Sequence, residues 1–325
     1  MDIKSIIKKP IVEEFEAFRQ FYLQQFSSNQ SLLDSALKHV ASTSGKMMRP
    51  MLILLSAKSC GNVNDSAFAA AAALELLHTA SLLHDDVVDE SNMRRGVSSL
   101  NAVYSNRIAI LTGDYLLSTS LYNVAQTKNN EIIEGLSQLG RVLSTGEMLQ
   151  LELQRSGDFS EEKYFDVVRN KTASLFASCG RFGALAAGAD VSVVERFDRF
   201  GEILGICFQI KDDIFDYYSQ DVGKPTGSDI REGKVTLPAL YALSHSADEN
   251  ILSIAKKLKN GTVLTEEEIA SLIEAAKSVG GIEYSLKRIE EFRTEALALL
   301  ASLDIPDDCR AALEAYLEYV ISREK

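Results

Sequence analysis

Residues 66–90 read SAFAAAAALELLHTASLLHDDVVDE, and this stretch gives the strongest indication of the fold. Good helix formers fill it, with neither proline nor glycine to interrupt them. The alanine run at 67–73 allows a neighbouring backbone to approach closely. The stretch therefore predicts a long helix that carries three aspartates, Asp85, Asp86 and Asp89.

Helical periodicity continues on both sides of this stretch, and alternating strand-like runs are scarce. Pro10 and Pro50 each open an earlier segment. Longer helical segments are predicted over 107–126, 130–155, 160–187 and 192–218, with shorter ones in the C-terminal third. Because no linker rich in Gly, Pro or Ser divides them, the sequence predicts one all-α domain over residues 1–325.

Composition excludes several classes of protein. The chain has 325 residues, 46% of them hydrophobic, with a formal net charge of -12, so a broad nucleic-acid footprint is not expected. The four cysteines have no zinc-like spacing and are expected to be free thiols. We found no signal core and no uninterrupted apolar run of about 18 residues. A cytoplasmic protein without stable membrane insertion is expected, with product release at a membrane left open.

Two clusters read DDxxD. The first is in HDDVVDE, and the second, in IKDDIFDYY, holds Asp212, Asp213 and Asp216. In a helix the outer aspartates of each cluster share one face. Such concentrated negative charge requires compensation, and oxygen-only ligands suit Mg²⁺ together with substrate phosphates. One isolated DDxxD is more often a solvated helix face; two in apolar helices favour opposing walls of a metal and diphosphate site.

Basic and amide side chains accompany these clusters. An anionic ligand between two acidic walls would need them, because Arg and Lys bind phosphate oxygens. His78 lies two turns before Asp85, and Gln209 stands in the same relation to Asp216. The other candidates are Lys46, Arg49, Arg94, Arg95, Lys171, Thr172, Lys224 and Lys234. Taken singly, each is more often a surface or structural residue.

Six motifs in order make the chain resemble the trans-isoprenyl diphosphate synthases, the polyprenyl synthetase family, along nearly all its length. They are GKMMRP at 45–50, ELLHTASLLHDDVVD at 75–89 with RRG at 94–96, GEMLQ at 146–150, KT at 171–172, FQIKDDIFD at 208–216 and GKPTGSDIREGKVTLP at 223–238.

The resemblance implies both fold and chemistry. The fold would be a large helical bundle of the isoprenoid synthase type with a central cavity, usually in a homodimer. The activity would be a Mg²⁺-dependent prenyltransferase that adds isopentenyl diphosphate head to tail to an allylic diphosphate and makes a medium- or long-chain all-trans polyprenyl diphosphate. A geranylgeranyl or farnesyl diphosphate synthase is the alternative.

The resemblance also implies roles for individual residues. Asp85, Asp89 and Asp212 would hold magnesium, assisted by Asp86, Asp213 and Asp216; these six and Lys171 form the expected catalytic set. The residues for isopentenyl diphosphate would be Lys46, Arg49, His78 and Arg95. Those for the allylic diphosphate would be Arg94, Lys171, Thr172, Gln209, Lys224 and Lys234. Ser98 stands where many relatives have proline, and this difference removes none of the charged or metal-ligand positions.

Product length is expected to depend on Ala80 and Ser81, one helical turn before Asp85. In the family, bulky residues near these positions stop elongation early, so two small ones favour a product longer than farnesyl. The alternative is that Ala80 and Ser81 only allow neighbouring helices to pack closely. Tyr115, Leu116 or Tyr122 would then form a floor, which keeps a geranylgeranyl product open.

Other functions explain fewer motifs. A class I terpene cyclase normally lacks the second DDxxD and the bases for a co-substrate. A regulatory subunit of a heteromeric synthase would be expected to have lost acidic ligands, whereas both clusters are intact. A helical metal-binding scaffold leaves the ordered bases unexplained.

Overall fold

A computed structural model describes residues 2–43, 45–94, 96–218 and 226–323. The all-α prediction is confirmed, because helices make up almost all the regular structure of these ranges. They are α1 (Ile3–Lys8), α2 (Val12–Leu23), α3 (Ser31–Ser42), α4 (Met48–Cys60), α5 (Asp65–Val88), α6 (Leu100–Val103), α7 (Asn106–Gln126), α8 (Asn130–Ser156), α9 (Glu161–Val168), α10 (Ser174–Ala186), α11 (Val191–Phe215), α12 (Ser228–Arg231), α13 (Leu237–His245), α14 (Glu249–Lys259), α15 (Glu266–Ser278), α16 (Gly281–Ser302) and α17 (Asp307–Ser322).

Four short elements complete the regular structure of the described residues. A 3-10 turn, Lys9–Ile11, holds Pro10, and a π-helical turn, Arg169–Ala173, joins α9 to α10. The strands β1 (Met93–Arg94) and β2 (Val97–Ser98) pair antiparallel, with Met93 opposite Ser98. Residues 89–92 separate this strand pair from the end of α5.

The contacts within the chain divide it into two compact units. The first comprises 1–140, 178–199 and 303–315, and the second 141–177, 200–302 and 316–325. Both units combine segments that are far apart in sequence. The expected single domain over residues 1–325 stays a prediction.

The first unit is organised around α5 and α7, which contact each other extensively. Asn64 caps α5 by accepting a hydrogen bond from the Ala67 amide at 2.9 Å. The alanines of 67–73 are buried and allow the close approach that the sequence indicates. The Ser120 hydroxyl of α7 donates to the Ala73 carbonyl at 2.6 Å, while Gly113 of α7 packs against the His84 ring. The two helices are therefore antiparallel.

Length and composition alone would allow α5 to cross a membrane, and no other helix in the described ranges passes that test. In the structure, 72% of its most apolar 18-residue window is buried inside the protein. A helix buried in the core of a protein passes the same test of length and composition.

In the second unit, two glycines of α11 allow close packing against the segment that follows α9. A Cβ on Gly201 would collide with the Phe176 backbone, and one on Gly205 would collide with Ala173. This approach brings Gln209, one turn further along α11, beside Thr172 of the π-helical turn. Elsewhere in the unit, α15 begins with a capping box of Thr265 and Glu268, as the sequence indicates.

Candidate active site

The first acidic cluster lies at the C-terminal end of α5. The helix ends at Val88, so Asp85 and Asp86 occupy its last turn and Asp89 is the residue that follows. The Asp89 amide still donates to the Asp85 carbonyl at 2.8 Å, which keeps the two outer aspartates on consecutive turns. Asp89 is exposed and Asp85 half-buried. Because a helix C-terminus already carries partial negative charge, carboxylates here favour a bound cation.

The middle aspartate of this cluster is engaged inside the protein. Asp86 is only 2% exposed, and the Arg94 guanidinium on β1 donates to both its oxygens, with Nε at 2.8 and 2.9 Å. A second nitrogen, Nη2, lies 2.7 Å from Asp86 Oδ1. This fork is the arrangement in which an Arg and carboxylate pair is strongest. Arg94 is thereby held beside the metal-ligand candidates, whereas its neighbour Arg95 lies outside the described residues.

The second cluster closes α11, and its outer aspartates have different partners. Asp212 pairs with Arg323, whose Nη2 donates to its Oδ1 at 2.6 Å, and the Asp212 side chain is 41% exposed. Asp216 follows the helix and accepts from the amides of Ser228 and Asp229, each at 3.0 Å, and from the Ser228 hydroxyl at 2.8 Å. Asp216 thus anchors the start of α12.

Asp213, the middle aspartate, is buried in a chain of hydrogen bonds. Its Oδ2 accepts from the Tyr164 hydroxyl at 2.6 Å and its Oδ1 from the Gln209 amide at 2.8 Å. The Gln209 Oε1 in turn accepts from the Thr172 hydroxyl at 2.8 Å. Burial and the negative charge of Asp229 raise the pKa of Asp213, whereas the hydrogen bonds from Tyr164 and Gln209 lower it and favour the carboxylate. Burial also raises the pKa of Tyr164 well above its ordinary value, so the phenol stays a donor.

Lys171 is held by the GEMLQ motif of α8. Its Nζ lies 2.6 Å from Glu147 Oε2 and donates to Gln150 Oε1 at 3.2 Å. A Cβ on Gly146 would collide with Asn170 and Lys171, so glycine is needed where α8 passes the π-helical turn. The GEMLQ motif therefore positions Lys171, which is predicted to bind diphosphate, and Glu147 partly neutralises its charge.

A cavity of about 160 Å³ in the second unit collects several of these side chains. Four predicted diphosphate contacts line it: Lys171, Thr172, Gln209 and Lys234. Asp213 and Asp229 supply acidic oxygens, and the apolar wall includes Phe159, Val168 and Leu240. Lys234 Nζ lies 2.5 Å from Glu232 Oε2. Lys224 lies outside the described residues.

The predicted site for isopentenyl diphosphate falls in the first unit. Lys46 is exposed just before α4, and Arg49 is half-buried in the first turn of that helix. His78 is 8% exposed on α5, which packs against α4. The predicted roles of these side chains, and the predicted opposition of the two clusters, stay predictions.

The motifs did not identify several residues that contribute to this site. Tyr164 and Arg323 contact motif aspartates, yet neither stands in a recognisable spacing to them. Glu147 and Gln150 belong to a quoted motif, so the pattern marked them without indicating that their partner is Lys171.

The donor set suits a metal that a diphosphate helps to bind. In the ranges that the structure describes, no three His, Cys, Asp or Glu side chains are assembled to hold a metal ion. Mg²⁺ usually takes one or two carboxylates and completes its shell with water and phosphate oxygens. Asp89 and Asp212 are accessible carboxylates of this kind, so the residues present fit Mg²⁺.

Comparison with known proteins gives consistent matches. The family model of the Polyprenyl synthetase matches residues 30–276. Octaprenyl diphosphate synthase from Escherichia coli (strain K12) is 33% identical over 306 residues, which cover 93% of this chain and 94% of that protein. The crystal structure of geranylgeranyl pyrophosphate synthase from Bacteroides thetaiotaomicron is 46% identical, with a TM-score of 0.85, and the match covers 99% of this chain and 100% of that chain. The polyprenyl synthase from Caulobacter crescentus CB15, complexed with calcium and isoprenyl diphosphate, is 30% identical, with a TM-score of 0.89 and coverage of 99% and 98%.

Proposed function

The chain belongs to the polyprenyl synthetase family, and on this basis we propose that it adds isopentenyl diphosphate head to tail to an allylic diphosphate. The family predicted from the motifs and the isoprenoid synthase fold are both confirmed. The chain is accordingly a prenyltransferase of the trans-prenyl diphosphate synthase class.

The observation that carries the substrate proposal is the cavity of the second unit. It combines two lysines, Lys171 and Lys234, with the hydroxyl of Thr172 and the amide of Gln209. Ammonium and amide groups donate to phosphate oxygens, while the acidic oxygens beside them require a cation between them and any anion. An allylic diphosphate with a divalent metal satisfies both requirements.

We propose Mg²⁺ as the cofactor, held by Asp85, Asp89 and Asp212. When bound, it offsets the negative charge that develops on the diphosphate as the allylic C–O bond breaks. The calcium in the Caulobacter crescentus structure supports the use of a divalent cation in the family.

We propose that the chain's own residues orient the two diphosphates. Arg94, Lys171, Thr172, Gln209 and Lys234 hold the leaving diphosphate, together with Lys224. Lys46, Arg49, His78 and Arg95 hold that of isopentenyl diphosphate. Preorganised donors of this kind stabilise developing charge without reorganising during the reaction. The released diphosphate is proposed to take the final proton.

The test is an assay of purified protein with radiolabelled isopentenyl diphosphate, Mg²⁺ and one allylic primer at a time. We expect elongated prenyl diphosphates that disappear when EDTA is added. Asp212→Ala should lower turnover at least about 100-fold, whereas Asp166→Ala, which removes a surface carboxylate paired with Arg169, should leave it unchanged. Near-normal turnover of the Asp212 variant would refute the metal assignment.

We propose a medium- or long-chain product. Ala80 is 2% exposed on α5, and the α5–α7 register places it level with Leu116, which is fully buried. Tyr122 is 67% exposed and does not face α5. Between these two residues, Leu116 is therefore the stronger candidate for a floor. Geranylgeranyl diphosphate is the second candidate product, since the 46% identical relative is a geranylgeranyl pyrophosphate synthase.

Ser81→Phe tests the proposed direction of chain growth. Ser81 is half-buried, so a phenyl ring at this position can enter an elongation path that runs along α5. We expect a product shorter by at least one isoprene unit when dephosphorylated alcohols are sized by chromatography. Ser81→Ala, which adds no volume, should keep the parent product, and the same profile from Ser81→Phe would count against this path.

We also propose that the protein acts as a homodimer in the cytoplasm. Support for the dimer comes from large apolar side chains that α7 exposes, among them Leu111 at 57% and Leu121 at 52%. Burying such side chains in a partner is favourable. The cytoplasmic location agrees with four free cysteines.

A further inference from the structure

The feature that the proposed reaction leaves unexplained is the buried carboxylate of Asp213. It is 3% exposed, lines the cavity and accepts hydrogen bonds on both oxygens. A side chain with both oxygens engaged inside the protein is poorly placed to bind a metal. Its neighbour Asp212 is 41% exposed and better placed to do so.

The hydrogen bonds of Asp213 fix the orientation of one amide. A glutamine can present either its oxygen or its NH₂ group, and its partners decide which. Thr172 donates to Gln209 Oε1, and Asp213 accepts from Gln209 Nε2. Both contacts agree on the same orientation. Nε2 carries a second hydrogen, and Gln209 lines the cavity with Lys171 and Lys234.

Tyr164 fixes the carboxylate itself. Its hydroxyl donates to the other oxygen of Asp213 at 2.6 Å, so the carboxylate is held at both ends. Tyr164 is 8% exposed on α9 and its ring packs against Phe165, with ring centroids 5.2 Å apart. The phenol is thus a rigid support that comes from a different helix.

We infer that Tyr164 and Asp213 are positioning residues, which hold Gln209 so that its Nε2 donates to the diphosphate of the allylic substrate. The inference rests on the proposed function, because it requires that the cavity binds this diphosphate. It separates the roles within the second cluster: Asp212 for metal, Asp213 for orientation and Asp216 for anchoring α12.

The first test is Tyr164→Phe, which removes one hydroxyl and keeps the ring. A contact made in both ground and transition states changes KM more than kcat. We expect the KM of the allylic primer to rise about tenfold, as when a supporting residue is lost, while the KM of isopentenyl diphosphate stays within about twofold. The matched control is Tyr217→Phe, since Tyr217 is 1% exposed and its hydroxyl bonds Thr236 at 3.0 Å.

A double-mutant cycle with Gln209→Ala then asks whether Tyr164 acts through the amide. If it does, Tyr164→Phe in the Gln209→Ala background should have no further effect on the KM of the primer. Equal effects of Tyr164→Phe in both backgrounds, or no effect in the parent enzyme, would overturn the inference.

Asp213→Asn provides a second variant in case Tyr164→Phe does not fold. Asparagine can accept from Tyr164 only by turning its NH₂ group toward Gln209 Nε2, so the Gln209 amide must rotate and present oxygen to the cavity. We expect at least the KM increase of Tyr164→Phe. The thermal stabilisation that inorganic diphosphate with Mg²⁺ gives to the parent protein should also be smaller in Asp213→Asn. An unchanged KM and an unchanged thermal shift would overturn the inference.

The parent enzyme separates the two proposals. If it makes no elongated product with any primer, the proposed function fails. If it is active and Tyr164→Phe and Asp213→Asn match the Tyr217→Phe control, only the positioning role fails.

Discussion

At the scale of single residues, the three aspartates of the second cluster have three different environments. Asp212 meets a guanidinium, Asp213 is enclosed by Tyr164 and Gln209, and Asp216 caps α12. Since burial and hydrogen bonding decide what a carboxylate can bind, the three aspartates of one motif can have different roles.

Arg323 is expected to compete with the metal for Asp212. Its side chain is 11% exposed and its guanidinium lies 3.7 Å from the centre of the Phe208 ring. Replacing it with alanine removes a cation from the ligand, so the Mg²⁺ concentration for half-maximal effect should fall about threefold or more. The readout is thermal stabilisation by Mg²⁺ with inorganic diphosphate.

Arg310→Ala is the control, because Arg310 lies on α17, which ends just before Arg323, and donates to the Leu303 carbonyl at 2.8 Å. A higher Mg²⁺ requirement in Arg323→Ala than in this control would contradict competition.

Cys60 should react slowly with alkylating reagents at neutral pH. Burial, with a smaller contribution from Cys309, raises the pKa of Cys60 from 9.0 to about 11. The thiolate is the reactive form, so native Cys60 should label about 100-fold more slowly at pH 8 than in the unfolded chain. The same shift favours the folded state below pH 9, and this contribution is lost as the pH rises through 11.

Iodoacetamide labelling between pH 7 and 11, read by mass spectrometry of the Cys60 peptide, checks this rate. Equal labelling of native and unfolded protein at pH 8 would show that burial does not protect the thiol.

At the scale of elements, the sequence predicted the long helices but not their interruption. The expected segments 107–126, 130–155 and 192–218 correspond to α7, α8 and α11, because sustained apolar periodicity is a local property. The expected helix over 160–187 is instead two helices joined by the π-helical turn Arg169–Ala173. Residues 160–187 contain no proline, and a π turn continues the helical backbone, so the sequence gives no signal that reveals it.

Gly205→Ala should disturb both stability and the site. The added Cβ would collide with the Ala173 backbone, so α11 must shift away from the π-helical turn. We expect the free energy of unfolding to fall by about 1–3 kcal/mol in urea denaturation, and the KM of the primer to rise as Gln209 leaves Thr172.

Gly140→Ala is the matched change, since a Cβ there meets open space within a helix. It should raise the free energy of unfolding by about 0.5–1 kcal/mol. Equal stability of the two variants would show that the packing of α11 against the π-helical turn does not require glycine at position 205.

At the scale of the whole molecule, the exposed face of α7 is the feature that bears on assembly. Leu111 and Leu121 expose more than half of their surface, and Tyr122 exposes 67%. They recur at spacings that place them on one side of the helix, away from α5. The expected single domain and the homodimer both stay predictions.

The double variant Leu111→Arg with Leu121→Arg should convert a dimer to a monomer, because burying two unpaired charges in an apolar interface is costly. Light scattering coupled to size-exclusion chromatography measures the mass. Val263→Arg is the control, since Val263 is 84% exposed outside this face. A double variant with the mass of the parent dimer would place the interface elsewhere.

The sequence by itself determined the helical class, the long helices, both acidic clusters and the family, because periodicity and motif spacing are properties of neighbouring residues. Only the tertiary structure decided which aspartates are accessible and which are engaged. Tyr164 is 49 positions from Asp213, and Arg323 is 111 positions from Asp212. Such partners are brought together by helix packing, and the burial that sets the pKa of Asp213 exists only after the helices have packed.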